Sequence, residues 1–116
     1  MLKFSLTALA RQQVKLALEA PSGRSATTVY GGHEHALRQT LIALASGSRM
    51  HEHDSPGEAT VHVLHGRVRL VTEETHWEGV PGDLIVVPPA RHALEAMQDS
   101  ALLLTVSTRP DTDATG

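Results

Sequence analysis

The 116-residue sequence contains no cysteine. That excludes disulfides, thiolate metal sites and a cysteine nucleophile, and it suits a reducing compartment. Aromatic residues are scarce: one Trp, one Tyr and one Phe, 3% of the chain. The core must be built from Leu, Val, Ile and Ala, and few rings are available to stack nucleic-acid bases. Ten Lys and Arg are scattered among thirteen Asp and Glu, for a formal net charge of −3, which leaves no basic footprint for DNA or RNA. No apolar run approaches membrane-spanning length. The opening MLKFSLTALA imitates a secretion signal but is too short and continues into an amphipathic pattern, so the chain reads as a cytoplasmic protein. Nothing repeats internally, and no glycine-rich phosphate loop precedes a helix, which argues against a nucleotide fold.

What is present is a single domain's worth of short apolar segments. Residues 7–19, TALARQQVKLALE, predict a short helix with Leu9, Gln13, Leu16 and Ala17 near one face. The alternation of Val14, Leu16 and Leu18 leaves a strand open as the alternative. Eight strands then follow at regular spacing: RSATTVY, ALRQTLIALA, EATVHVL, RVRLVT, a short one around Trp77, LIVVP, RHALEAM and ALLLTVST. The first two are apolar enough to be edge strands in need of cover. His65-Gly66 reads as a tight turn that makes EATVHVL and RVRLVT hairpin partners, with Arg67 and Arg69 on one face and Val68 and Leu70 on the other. LIVVP, a continuous apolar run, suits a strand buried on both faces. The pattern is all-β, a sandwich or small barrel with its core over about 24–108 and a polar, disordered tail over 109–116.

Histidine is abundant: eight in all, four of them in MHEHDSPGEATVHVLHG, residues 50–66. Imidazole is the usual nitrogen ligand for first-row transition metals, and carboxylate supplies an anionic oxygen. On a strand, residues i and i+2 share a face roughly 6.6 Å apart, so His51 and His53 can converge on one ion. Glu58 lies beyond the Pro56-Gly57 turn, and His92 follows VVPPA far along the chain. The plainer readings are a solvated loop for His51 and His53, a backbone-bonded histidine for His92, and a strand-edge carboxylate for Glu58. His62 shares the face of Glu58 but lies about 13 Å along the strand, too far for one ion, so it is a pocket-lining candidate. Arg91 could steer an anionic ligand or be an exposed charge. His33 and His35 read as an exposed hairpin tip, His65 as an exposed turn, and Trp77 as core or interface.

The two stretches HEH…E…VHVLHGRV and GDLIVVPPARHAL together resemble the two motifs of the cupin superfamily, the RmlC-like cupins, over roughly residues 40–107. His51, His53, Glu58 and Gly66 stand at the positions of the first motif, and Gly82, Pro88 and His92 at those of the second. Seven residues separate Glu58 from Gly66, where the family pattern has six, so strict register puts Ala59 in the glutamate's place. Glu58 is a ligand if the chain bulges after Pro56-Gly57. The second motif is one residue short, and its usual glycine is Ala90. The resemblance implies a double-stranded β-helix, or jelly-roll barrel, with a short N-terminal helix or strand. It implies a divalent transition metal (Fe, Mn, Ni or Zn) held by His51, His53, His92 and Glu58, and a small-molecule ligand or substrate. It also implies a homodimer; the composition and the lack of a long apolar run argue against a nucleic-acid or membrane partner. Dioxygenase, isomerase or lyase chemistry is then open. So is a non-catalytic ligand-binding, regulatory or stress-related module with an incomplete metal site.

Overall fold

The computed structural model describes residues 1–53 and 57–107, and among these the side chains of residues 51–53 are outside the description. The tail expected over 109–116 and Pro56 of the expected turn lie outside it as well. Ser5 opens helix α1 (Leu6–Glu19), its Oγ accepting the Ala8 N–H at 3.2 Å. The helix stops because Pro21 forces Ala20 into an extended conformation. Its buried stripe is Ala10, Gln13 and Ala17. Leu16, expected on that stripe, is 44% exposed, because small residues let the helix lie close on the sheet beneath. Gln13 is a buried polar group with a partner, its Oε1 accepting from the Ser25 hydroxyl.

Nine strands follow: β1 (Arg24–Gly31), β2 (Leu37–Leu44), β3 (Arg49–His53), β4 (Ala59–His65), β5 (Val68–Thr72), β6 (His76–Gly79), β7 (Leu84–Val86), β8 (His92–Ala96) and β9 (Ser100–Ser107). They form two antiparallel sheets, ordered β1-β2-β9-β4-β7 and β3-β8-β5-β6. Alternation sorts the five-stranded sheet into two faces. Ile42, Leu44, Ala59, Val61, Val63, Leu102 and Val106 meet Val68, Leu70, Leu94 and Ala96 of the other sheet in the main core. Leu41, Ala101 and Leu64 turn the opposite way and pack under α1. Val63, Val68, Leu44 and Leu102 are fully buried, each removing roughly 1.5–3 kcal/mol worth of apolar surface from water.

Three sequence expectations are corrected. β4 and β5 are not hairpin partners: β4 joins the five-stranded sheet and β5 the four-stranded one. Gly66, at φ +80°, turns a corner between sheets, and a Cβ there would meet the Asp99 carbonyl and Ser100. The buried Ser100 hydroxyl ties the corner down, accepting the Arg67 N–H at 3.0 Å. Second, LIVVP is not buried on both faces. β7 is an edge strand of three residues, with Leu84 62% and Val86 71% exposed, while Ile85 and, just beyond the strand, Val87 turn toward the core. Third, β1 is an edge but β2 lies between β1 and β9, so RQTLIALA is internal.

Outward residues of the four-stranded sheet form a row of alternating charge. Ladder pairing sets Arg49 beside Glu95, Glu95 beside Arg69 and Arg69 beside Glu78. Arg49 and Glu95 are 2.9 Å apart, Arg69 reaches Glu78 at 3.5 Å, and Arg67 closes on Glu78 as well. The Arg67 hydrogen bond is the main reason the Glu78 carboxyl is held below its ordinary pKa of 4.5, with the charges of Arg67 and Arg69 adding to it. The sign follows: this group favours the folded state above 4.5, and that contribution disappears as pH falls through its depressed folded value. Glu78→Gln should therefore flatten the acid limb of a stability–pH curve while leaving its shape above pH 6 unchanged. An unaltered acid limb would show that the ion pairs carry no pH dependence. Exposed pairs of this kind contribute little individually, so the effect is small.

Candidate functional site

The two sheets leave a cavity of about 30 Å³ between them. Met50, Val61, Leu70, Leu94, Leu102 and Leu104 line it, and His92 is its one titratable lining group among the described residues. His92 is first in β8, 8% exposed, and its Nδ1 lies 2.9 Å from the Ala90 carbonyl oxygen. A carbonyl only accepts, so Nδ1 carries the proton. In the neutral ring the lone pair then belongs to Nε2, the arrangement by which proteins fix a metal-binding histidine. The backbone-bonded reading of His92 and the ligand reading are thus compatible, since the backbone bond is what orients the ring.

The neighbouring edge strand is β3. Its ladder with β8 pairs Met50 with Leu94 and His53 with His92. Three steps along β3 therefore match two along β8, a register shift that places one extra residue between Met50 and His53. A Glu58 ligand would require a bulge beyond the turn, after Pro56-Gly57. The β4–β9 ladder instead runs in register from Ala59↔Val106 to Val63↔Leu102 and shifts only between Val63 and His65.

Ala59 is buried in the core and Glu58 is exposed, its carbonyl accepting the Ser107 N–H at 2.9 Å. The ladder shift between Val63 and His65 falls inside the interval between Glu58 and Gly66, and Glu58 is not among the residues that line the cavity. His62 also lies off it. It sits between Val61 and Val63, which face the core, on the same outer face as Leu64, which packs under α1. Arg91 is exposed while its neighbour His92 is buried. The side chains of His51 and His53 are outside the described part. Among the described residues no group of three or more His, Asp or Glu stands ready to hold a metal ion.

His33 and His35 lie exposed between β1 and β2, with the His35 ring 5.3 Å from that of Tyr30. His65 is exposed as expected, and Trp77 is 46% exposed, which removes it from the core. Sequence reasoning missed the Ala90 carbonyl and the Met50 and Leu94 walls. Only Met50 carried a signal, as the apolar residue beside the histidine pair.

A scan against protein-family models gives no match, and neither does a search of curated proteins. Solved structures do match. The conserved SPY1581 protein of unknown function from Streptococcus pyogenes is 26% identical, with a TM-score of 0.69 over 78% of this chain and 79% of that one. KdgF from a Halomonas species is 22% identical, with a TM-score of 0.64 over 81% and 87%. A cupin superfamily protein from Desulfitobacterium hafniense is 17% identical, with a TM-score of 0.64 over 73% and 79%. Among the described residues no helix is long and apolar enough to cross a membrane. Two antiparallel sheets, a short N-terminal helix and these likenesses together make the chain a cupin-fold single domain.

Proposed function

We propose that this chain is a small cupin-type jelly roll that binds one divalent transition metal between its sheets through His92, His53 and His51, and offers it to a small-molecule ligand. The observation that carries the reading is His92: buried, lining the inter-sheet cavity, and held at Nδ1 by the Ala90 carbonyl. The β3–β8 register supports it, because the ladder partner of His92 is His53. An imidazole donor set fits Fe, Mn, Ni or Zn. Glu58 is left out of the set, being exposed and off the cavity.

Such an ion, when bound, supplies a Lewis acid for an oxygen-bearing ligand. The chain's own residues then orient His92 and exclude bulk water through the Leu, Val and Met walls. The cavity of about 30 Å³ has room for one or two water-sized groups, well below the roughly 300–1,000 Å³ of ordinary ligand pockets. The body of any ligand must therefore sit at the mouth. The apolar lining also favours a second reading, a non-catalytic binding module, since His92 is the one described lining group able to move a proton. Scattered positive charge and absent cysteine support a cytoplasmic protein with a small-molecule rather than a nucleic-acid or membrane partner, and the cupin resemblance supports a homodimer. Elemental analysis of protein purified without a histidine tag tests the metal reading. We expect about one transition-metal ion per chain, and protein that stays metal-free after incubation with each of the four metals would overturn it.

A further inference from the structure

We infer that a cleft between α1 and the end of β4 is a second ligand site, suited to a small aliphatic carboxylate. It lies on the outer side of the five-stranded sheet, across that sheet from the inter-sheet cavity, and is independent of the metal reading. The cleft holds about 340 Å³, against about 30 Å³ between the sheets. That places it within the size range of ordinary small-molecule pockets.

Its helix wall is a single stripe. Thr7, Ala10, Arg11 and Val14 stand at i, i+3, i+4 and i+7 of α1, so they share one face. Its sheet wall is Leu64 and His65. Adjacent residues of a regular strand point to opposite faces, so two neighbours line one cleft only where the ladder is interrupted. The interruption is present. Val63 pairs with Leu102 and His65 with Ala101, so two steps along β4 match one along β9. Leu102 belongs to the main core, whereas Ala101 packs under α1. Regular alternation would have sent His65 toward the core with Val61 and Val63. The extra residue brings it to the α1 face beside Leu64 instead.

The cleft is apolar at its floor and cationic at its rim. Ala10 is buried and Val14 and Leu64 are half-buried, while Thr7, Arg11 and His65 are exposed. The ion pairs among the described residues use Arg49, Arg67 and Arg69, so Arg11 takes part in none of them. α1 itself carries no carboxylate before Glu19. A guanidinium presents paired N–H donors that match a carboxylate, and the His65 ring and Thr7 hydroxyl offer further donors at the same rim. A cationic rim over an apolar floor complements an anion with a short hydrocarbon tail. An inorganic anion would leave the floor bare, and Arg11 would repel a cation.

Titration of the isotopically labelled intact chain with octanoate, followed by amide chemical shifts, tests the site. Saturable shifts should centre on Thr7, Arg11, Leu64 and His65. Acetate lacks the tail and octylammonium reverses the charge, and each should bind at least about tenfold more weakly. Octanoate should weaken by the same about tenfold or more on Arg11→Gln. Thr7→Glu sets a carboxylate one turn before Arg11, which favours the helix and should displace the ligand. Arg38→Gln removes equal charge at the far end of β2, where Arg38 pairs with Val106, and should bind octanoate like the intact chain. Circular dichroism confirms that each variant is folded. Absence of saturation, shifts centred on Met50 and His92, or unchanged affinity in folded Arg11→Gln overturns the proposal. So does a ligand-free dimer, seen by sedimentation equilibrium, that Thr7→Glu dissociates, because the cleft would then belong to a second copy.

Discussion

Replacing Leu102 by alanine lowers the free energy of unfolding by about 2–5 kcal/mol. Leu102 is fully buried in the middle of the five-stranded sheet, paired with Ile42 on one side and Val63 on the other, and it lines the inter-sheet cavity. Ladders on both sides hold its backbone in place, so the sheet cannot close over the lost methyl groups. The new void also joins an existing one of about 30 Å³, which favours the upper part of that range. Urea denaturation measures it: the midpoint should fall with little change in slope. Leu18→Ala, at a helix position 56% exposed, should stay within about 0.5 kcal/mol of the parent. Equal effects from the two substitutions would mean that the core is not where the structure puts it.

Much of this core could be read from the sequence by period. ATVHVLH alternates, and β4 buries Ala59, Val61 and Val63 as that alternation requires. Arg67 and Arg69 part from Val68 and Leu70 in the same way. The failures share a cause: they depend on which strand lies next to which. A run such as LIVVP looks alike at the centre of a sheet and at its edge, and only topology leaves Leu84 and Val86 facing water. The turn at Gly66 demands a positive φ whether the chain reverses into a hairpin or crosses to the other sheet, so glycine alone could not separate the two. For the helix, periodicity gave a face but weighted Leu16 over Ala10, although close approach to the sheet selects the smaller side chain. The register shift beside His53 had no side-chain signature at all. The turn residues stand at Pro56-Gly57, but the ladder shifts lie on either side of them, between Met50 and His53 and between Val63 and His65.

The shift in β3 matters because it decides what opposes His92. His92 begins β8 with its ring already oriented, and the partner across the ladder is His53. Without the extra residue in β3, Glu52 would take that place. The second large effect follows: loss of either imidazole should lower metal affinity by more than about 100-fold, beyond the 10- to 100-fold typical of losing an orienting partner. His62→Ala and Glu58→Gln should keep the metal, because His62 lies on the α1 face of β4 and Glu58 is exposed.

The most direct measurement is the metal content of tag-free His92→Ala, read beside the parent and His62→Ala with circular dichroism to confirm that all three are folded. The account predicts about one ion per chain in the parent and in His62→Ala and essentially none in His92→Ala. Parent-level metal in a folded His92→Ala would contradict it.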